Sequence, residues 1–322
     1  MSNALRVPAA FFGIVLGLVG LGACWRVGHR IWGTPSAISE GIMMAAIVVW
    51  ALLVALYVAK WIRCRQEAVS ELNHPVQCCF VGLFPVSMML VAFAVLPYDR
   101  LLASTLGAIG ALGQLVFSVY RTGTLWTGGR DPLATTPVLY LPTVAGNFVS
   151  ANLASALGFG DLAALFFGTG LLAWIALESV LMHRLYVHAP LAVPLRPSLG
   201  IQLAPAVVGC SAYLSMTHGA PDLVAKGLLG YGLLQGLILL RLLPWIMKQP
   251  FAASYWAFTF GLTAIAFDTM IFVERGASGI FPYLAVVLFS IANAGVTVIA
   301  IGSIWLVARG RILPAPVPAP AH

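Results

Sequence analysis

The stretch Ile42-Met43-Met44-Ala45-Ala46-Ile47-Val48-Val49-Trp50-Ala51-Leu52-Leu53-Val54-Ala55-Leu56-Tyr57-Val58-Ala59 contains no charge, no proline and no glycine. At about 1.5 Å of rise per residue, this run with its flanks, residues 39–61, matches a hydrocarbon layer about 30 Å thick. It reads as a membrane-spanning helix, and the rest of the chain repeats it. Nine further apolar runs lie at 8–25, 75–96, 101–120, 136–157, 161–182, 198–217, 221–243, 251–273 and 280–308. Ten spans leave only short connections, the longest at 26–38, 63–74, 121–135 and 183–197. Residues 1–322 are therefore expected to form a single transmembrane domain. The Pro-rich segment from about 312 to 322 is expected to be an extended, disordered tail.

Composition leads to the same class. Apolar residues make up 61% of the chain, charged residues only 8%, and mean hydropathy is +0.96. Soluble domains carry about 25% charged residues, so this chain cannot clothe a water-facing surface. The fold class is an all-α polytopic membrane protein. Intrinsic disorder is excluded by the apolar content. A nucleic-acid partner is excluded because the net charge of +7 is scattered over short loops with no basic face. Five cysteines, an odd number in mostly apolar stretches, read as small core residues. Leu21-Gly22-Ala23-Cys24 resembles a lipoprotein cleavage box, but the apolar run before it is long enough to span, and Trp25-Arg26 makes an ordinary interfacial end.

Basic residues set the orientation. Arg6, Lys60, Arg63, Arg65, Arg121, Arg130, Arg184, Arg196, Arg241, Lys248, Arg309 and Arg311 fall on one side, twelve of the 17; Arg26, Arg30, Arg100, Lys226 and Arg275, five, fall on the other. Both termini are thus expected in the cytoplasm of a bacterial cell, with every odd span running outward.

Odd and even spans differ. Pro85, Pro142 and Pro205 sit within the third, fifth and seventh spans, and no even span carries a proline near its middle. A mid-span proline removes a backbone donor and bends the helix, which a membrane tolerates where freed carbonyls meet protein or a water-filled cavity. Odd spans are also rich in small or polar residues, among them Gly17, Gly146, Asn147 and Gly261. Close helix packing explains the glycines; the parity of the prolines points further, to a pore. The expected architecture is five helical hairpins, with kinked odd helices around a central bore and even helices outside. Pro85, Pro142, Pro205 and Gly261 are the expected kinks, and Gly17, Gly146 and Asn147 candidates for the pore wall.

Reaction chemistry is missing. No lysine follows a glycine, so there is no phosphate-binding P-loop. His-Glu-x-x-His, Cys-x-x-Cys and Gly-x-Gly-x-x-Gly patterns are absent as well. His183 and His188, five apart, are expected on different helix faces, where they would not share a metal. No enzyme activity, cofactor or metal is expected. Only Glu178 and Asp268 are carboxylates clearly inside spans, both toward helix ends, and each is expected to make a structural ion pair or reach the interface. Ion-driven carriers usually need carboxylates near the midplane, so passive conduction fits better than coupled transport.

Five strings carry a family resemblance: Phe12-Gly13-Ile14-Val15-Leu16-Gly17-Leu18 with Trp25-Arg26; His74-Pro75-Val76; Thr136-Pro137 through Pro142-Thr143-Val144-Ala145-Gly146-Asn147-Phe148; Ser198-Leu199-Gly200-Ile201-Gln202-Leu203-Ala204-Pro205; and Gln249-Pro250-Phe251 through Ser254-Tyr255-Trp256-Ala257-Phe258-Thr259-Phe260-Gly261. In this order, over about residues 10–305, the chain resembles the tellurite-resistance/dicarboxylate transporter family, relatives of the slow anion channels of plant guard cells. The resemblance implies a homotrimer whose protomers each hold a pore, and a ninth-span phenylalanine that plugs it. Matching the motif places that role on Phe260. Phe258 lies about 200° away around the helix, so the two cannot both face the axis. Family cargo ranges over tellurite, C4-dicarboxylates, sulfite and small inorganic anions. Two readings stay open: a gated channel for small anions, and a coupled exporter of dicarboxylates or oxyanions.

Overall fold

The computed structural model describes residues 6–313. Eleven α-helices follow one another: α1 (Gly13–Trp32), α2 (Ser36–Arg63), α3 (Arg65–Asn73), α4 (Leu83–Val95), α5 (Arg100–Trp126), α6 (Gly146–Ala156), α7 (Gly160–Val187), α8 (Ala204–Met216), α9 (Leu223–Ile246), α10 (Thr259–Glu274) and α11 (Phe281–Ala308). No strand occurs among the described residues. Among the described residues, nine helical stretches are long and apolar enough to cross a membrane. The segment 137–156 is also apolar but is broken into three short helical pieces around Pro142.

The helices fall into two kinds. α2, α5, α7, α9 and α11 are continuous. α1, α4, α6, α8 and α10 are each preceded by tighter or wider turns: 3-10 helix at Ala9–Phe12, Gln77–Gly82, Pro137–Leu139, Val193–Leu203 and Ala253–Phe258, and a π turn at Leu141–Ala145. Burial separates the same two sets. In the most apolar 18-residue windows of the four long stretches containing α1, α4, α8 and α10, between 61% and 78% of residues are buried, against 17% to 28% in those of the continuous helices. The first set forms a closed ring in the order α1, α4, α6, α8, α10 and back to α1, and each continuous helix packs against the ring helix it follows. All five ring helices start at the same end, called here the N-terminal end.

Local chemistry places the turns between hairpin arms. Asp99 accepts the Leu102 N–H (2.9 Å) and Asp222 that of Ala225 (3.0 Å), capping α5 and α9. Gly158, with φ of 90°, turns the chain from α6 into α7, a conformation that other residues rarely adopt.

Several boundaries differ from the sequence reading. The first span runs on through Cys24 to Trp32, the fourth to Trp126 and the sixth to Val187. Hydropathy registers the hydrocarbon core, whereas a helix continues into the interfacial layer, where its backbone bonds still satisfy themselves. The connection 63–74 is not a loop: most of it forms the polar helix α3. All five cysteines are free, and Cys24, Cys78, Cys79 and Cys210 are buried. The expected disordered tail lies, beyond Leu313, outside the described residues.

Candidate conduction pathway

A cavity of about 780 Å³ enters the ring from the N-terminal end. Its deeper wall takes residues from every ring stretch: Gly13 and Leu16, Phe80 and Leu83, Leu141, Ala145 and Phe148, Ile201, Ala204, Pro205 and Val208, and Ala257 with Phe260. Gly13, Leu83, Ala145 and Ala204 stand at the points where each stretch changes to α-helix. Irregular backbone at membrane depth is tolerated only against protein or a water-filled cavity, and here it faces both. The ring helices all begin at this end, so the positive ends of their dipoles point toward the mouth. No carboxylate is among the deeper lining residues.

The prolines mark these switches and do not kink continuous α-helices. Pro205 is the second residue of α8, Pro85 the third of α4, and Pro142 lies in the π turn. The opening turn has no use for the N–H that proline lacks. Pro205 lines the cavity, while Pro85 packs toward Gly110 and Gly113 of α5. The Pro142 carbonyl accepts the Gln114 amide at 2.9 Å. Gly17, Gly146 and Gly261 are contact points between helices. A Cβ on them would come within 2.3 Å of Thr259, 2.2 Å of Gln114 and 3.0 Å of Leu203 respectively. Asn147 bonds the Thr143 carbonyl at 2.5 Å and is buried. None of these four belongs to the cavity wall.

Phe260 lies on that wall, near the start of α10. Phe258 turns the other way: a Cβ on Gly200 would sit 2.6 Å from its ring, and it stacks on Tyr255 with centroids 6.3 Å apart. The helical offset between the two phenylalanines is thus realised in packing.

Among the described residues, the mouth carries two ion pairs and one further cation, Arg311. Lys60 and Glu71 meet at 2.8 Å, almost wholly buried, and Arg6 meets Glu67 at 3.1 Å. Glu71 also accepts the Ala9 N–H (2.8 Å), and Lys60 donates to the Val7 carbonyl (3.3 Å). These contacts tie α3 to the start of the first ring stretch. His74 Nδ1 accepts the N–H groups of Val76 and Gln77, both at 3.1 Å, and caps the 3-10 stretch that opens the third span. Burial holds the His74 pKa below its ordinary 6.5. The sequence reading missed this mouth, although Lys60, Glu67, Glu71 and His74 fall at 3- to 7-residue spacings readable as one helix face.

The two intramembrane carboxylates differ from expectation. Glu178 makes no ion pair among the described residues. Its carboxylate accepts from the hydroxyl of Tyr140, Trp174 Nε1 (2.9 Å), Gln202 Nε2 (3.0 and 3.1 Å) and the Tyr231 hydroxyl (2.6 Å). Glu178 faces the ring, and Arg184, six residues on and about 240° around the helix, turns to the Ala189 carbonyl instead (2.9 Å). Asp268 is fully buried and accepts the Ser211 hydroxyl at 2.6 Å, again without a cation. Neither lines the cavity. His188 falls just beyond the end of α7, so the chain turns its ring to within 5.9 Å of His183, although no cluster of three metal-binding side chains forms among the described residues.

Comparison with known proteins matches the sequence of this chain to a family. The family model described as SLAC1, voltage-dependent anion channel, matches residues 6–304. A tellurite resistance protein TehA homolog of Haemophilus influenzae is 37% identical over 312 residues, 97% of this chain and 94% of that one. The guard cell S-type anion channel SLAC1 of Arabidopsis thaliana is 24% identical over 312 residues, 93% of this chain and 56% of the plant protein. The S-type anion channel SLAH3 of the same plant is 24% identical over 297 residues, 90% of this chain and 46% of that protein.

Proposed function

The chain belongs to the SLAC1, voltage-dependent anion channel, family, and we propose that it is a passive, gated conduit for small anions, closed by the ring of Phe260. The observation that carries the reading is the place of Phe260: it lines a cavity walled by all five ring stretches, one residue past the start of α10. A mouth with two ion pairs and one further cation, Arg311, and a deeper wall free of carboxylates suit an anion path that selects weakly, through helix dipoles and dehydration cost. Nothing in the site calls for a cofactor or for reaction chemistry, so the proposal is transport and not an enzyme activity.

On the twelve-to-five distribution of basic residues, both termini face the cytoplasm of a bacterial inner membrane and the cavity is the cytoplasmic vestibule. The assembly is a homotrimer with one bore in each protomer. The likeness to a tellurite resistance protein makes oxyanions, tellurite among them, part of the candidate cargo. One observation favours the second reading, a proton-coupled exporter of C4-dicarboxylates or oxyanions: Asp268 is a buried carboxylate on a ring helix. Its distance from the cavity wall argues against that role.

Purified protein in planar bilayers tests both. Phe260→Ala should raise anion conductance at least tenfold, equivalent to about 1.4 kcal/mol off the barrier, while Phe258→Ala should leave conductance near wild type. Under a proton gradient at equal anion concentrations the reversal potential should stay at zero. A closed Phe260→Ala pore would refute the plug, and a reversal potential that tracks the proton gradient would establish the exporter.

A further inference from the structure

Away from the cavity, at the N-terminal end of the bundle, α5 carries Arg121, which is buried and makes no hydrogen bond or ion pair among the described residues. In the connection after α5, Arg130 donates one Nη2 hydrogen bond to the Ala134 carbonyl (2.6 Å), and its buried Nε has no partner. The hydroxyls of Thr122 and of fully buried Thr136 are buried and unpartnered as well. Both guanidinium charges reach the same pair of buried thiols, Cys78 and Cys79, on the 3-10 turn that packs against α5. Asp131, next to Arg130 in the chain, accepts the Leu133 N–H at 2.8 Å and pairs with neither arginine.

A buried cation without a counter-ion is costly, and two beside each other more so. Burial above all, and then the like charge of Arg121, depress the Arg130 pKa from its ordinary value. Unused guanidinium N–H groups and hydroxyls are donors only waiting for acceptors, and a planar fork of donors matches the oxygens of a phosphate. Depth selects the source. Arg121 lies five residues before Trp126, about 7.5 Å from the end of α5, where Trp126 is exposed as an interfacial residue is. On the neighbouring face of the same helix, Leu112, Val116, Val119 and Tyr120 are exposed in a column that acyl chains can follow. Basic pockets between spans at the membrane surface bind anionic headgroups by this combination.

We infer that Arg121, Arg130, Thr122 and Thr136 form a binding site for a phosphate-bearing anion, occupied by the headgroup of an anionic phospholipid. The site is separate from the conduction path and does not rest on the channel reading.

The test uses full-length protein in neutral detergent. It is titrated with dioctanoyl phosphatidylglycerol, with dioctanoyl phosphatidylcholine and with inorganic phosphate, and read by thermal unfolding and native mass spectrometry. Phosphatidylglycerol should bind and raise the unfolding temperature where phosphatidylcholine does not, and Arg121→Gln and Arg130→Gln should each weaken that binding tenfold or more. Without lipid, Arg121→Gln should unfold no lower than wild type, because it removes an unpartnered cation; a purely structural arginine would lower it. If inorganic phosphate alone gives the same shift and the same arginine dependence, the phosphate site stands with a soluble occupant. Should Arg121→Gln fail to fold, Arg130→Gln and Thr136→Val carry the binding comparison. Equal binding of both lipids, or wild-type binding by the arginine variants, overturns the proposal.

Discussion

Replacing Glu178 measures how the ring is held, because four side chains from four helical stretches converge on its carboxylate. Tyr140 comes from the broken fifth stretch, Trp174 from α7 itself, Gln202 from the 3-10 stretch before α8, and Tyr231 from α9. Removing the carboxylate in Glu178→Ala strips all four donors at once. Hydrogen bonds between membrane helices average about 0.6 kcal/mol in double-mutant cycles, which sets a floor of about 2.5 kcal/mol for four. Buried donors left without partners cost about 1 to 3 kcal/mol each in soluble proteins, so the loss should exceed that floor. Glu178→Gln is milder. The two tyrosine hydroxyls can rotate to accept from the new amide, whereas Trp174 Nε1 and Gln202 Nε2 can only donate. Its cost is the loss of charge assistance, roughly 1 to 2 kcal/mol. Fluorescence-detected size-exclusion after heating should show the alanine variant unfolding well below the glutamine variant, and both below wild type. Conductance of the folded fraction should persist, since Glu178 does not line the cavity. Unchanged unfolding temperatures in both variants would refute the hub. Folded protein that conducts no longer would make Glu178 part of the path.

Two further outcomes concern the mouth. Glu71→Gln leaves Lys60 buried and unpaired, a change that costs about 3 to 5 kcal/mol, and the double variant Lys60→Met/Glu71→Leu should recover much of it in the same heating assay. His74 stays neutral because burial depresses its pKa below 6.5 and because Nδ1 must accept two N–H groups. The stability it contributes is therefore present above pH 6.5 and lost as pH falls below it, where the unfolded chain takes up a proton that the folded one refuses. Unfolding temperature should drop between pH 7.5 and 5.5, and less so in His74→Asn, which caps without titrating.

What the sequence made legible follows from what an apolar layer dictates. A span such as Ile42–Ala59 has no alternative to helix in hydrocarbon, and the prolines of odd spans could only be tolerated where the ring stands. Side-chain direction was less legible. Gly17, Gly146 and Asn147 read equally as pore wall or as helix contact, because a small residue serves both, and the Gln114 and Thr259 atoms that claim Gly146 and Gly17 lie far along the chain. Glu178 read as half of an ion pair because Arg184 is close in sequence, yet its partners lie 24 to 53 residues away, apart from Trp174 at 4. Helix α3 hid because its polar face gives no hydropathy signal.

The change of helix type at the start of each ring stretch links packing to conduction. A bore through five straight α-helices would be lined by side chains on one face of each. Converting the opening turns to 3-10 helix narrows each rod and turns successive residues by about 120° in place of 100°. Small residues line the cavity at or beside the switch in three stretches, Gly13, Ala145 and Ala204, whereas Phe80, Leu141 and Ile201 line it from the turns before the switch. Of the three phenylalanines on the deeper wall, Phe80 precedes its switch, whereas Phe148, two residues into α6, and Phe260, one residue into α10, stand beyond theirs. Phe148 is fully buried and held between Gly170 of α7 and Gly209 of α8, where added Cβ atoms would come within 2.9 Å and 3.0 Å of its ring. Phe260 is only partly buried, and the first turn of its helix is anchored not by its own ring but by Thr259 and Thr263 lodged against Gly17 and Gly20 of α1. One ring is thus enclosed in the wall and the other is partly exposed on an anchored backbone, the difference that makes Phe260 rather than Phe148 the ring proposed above as the gate.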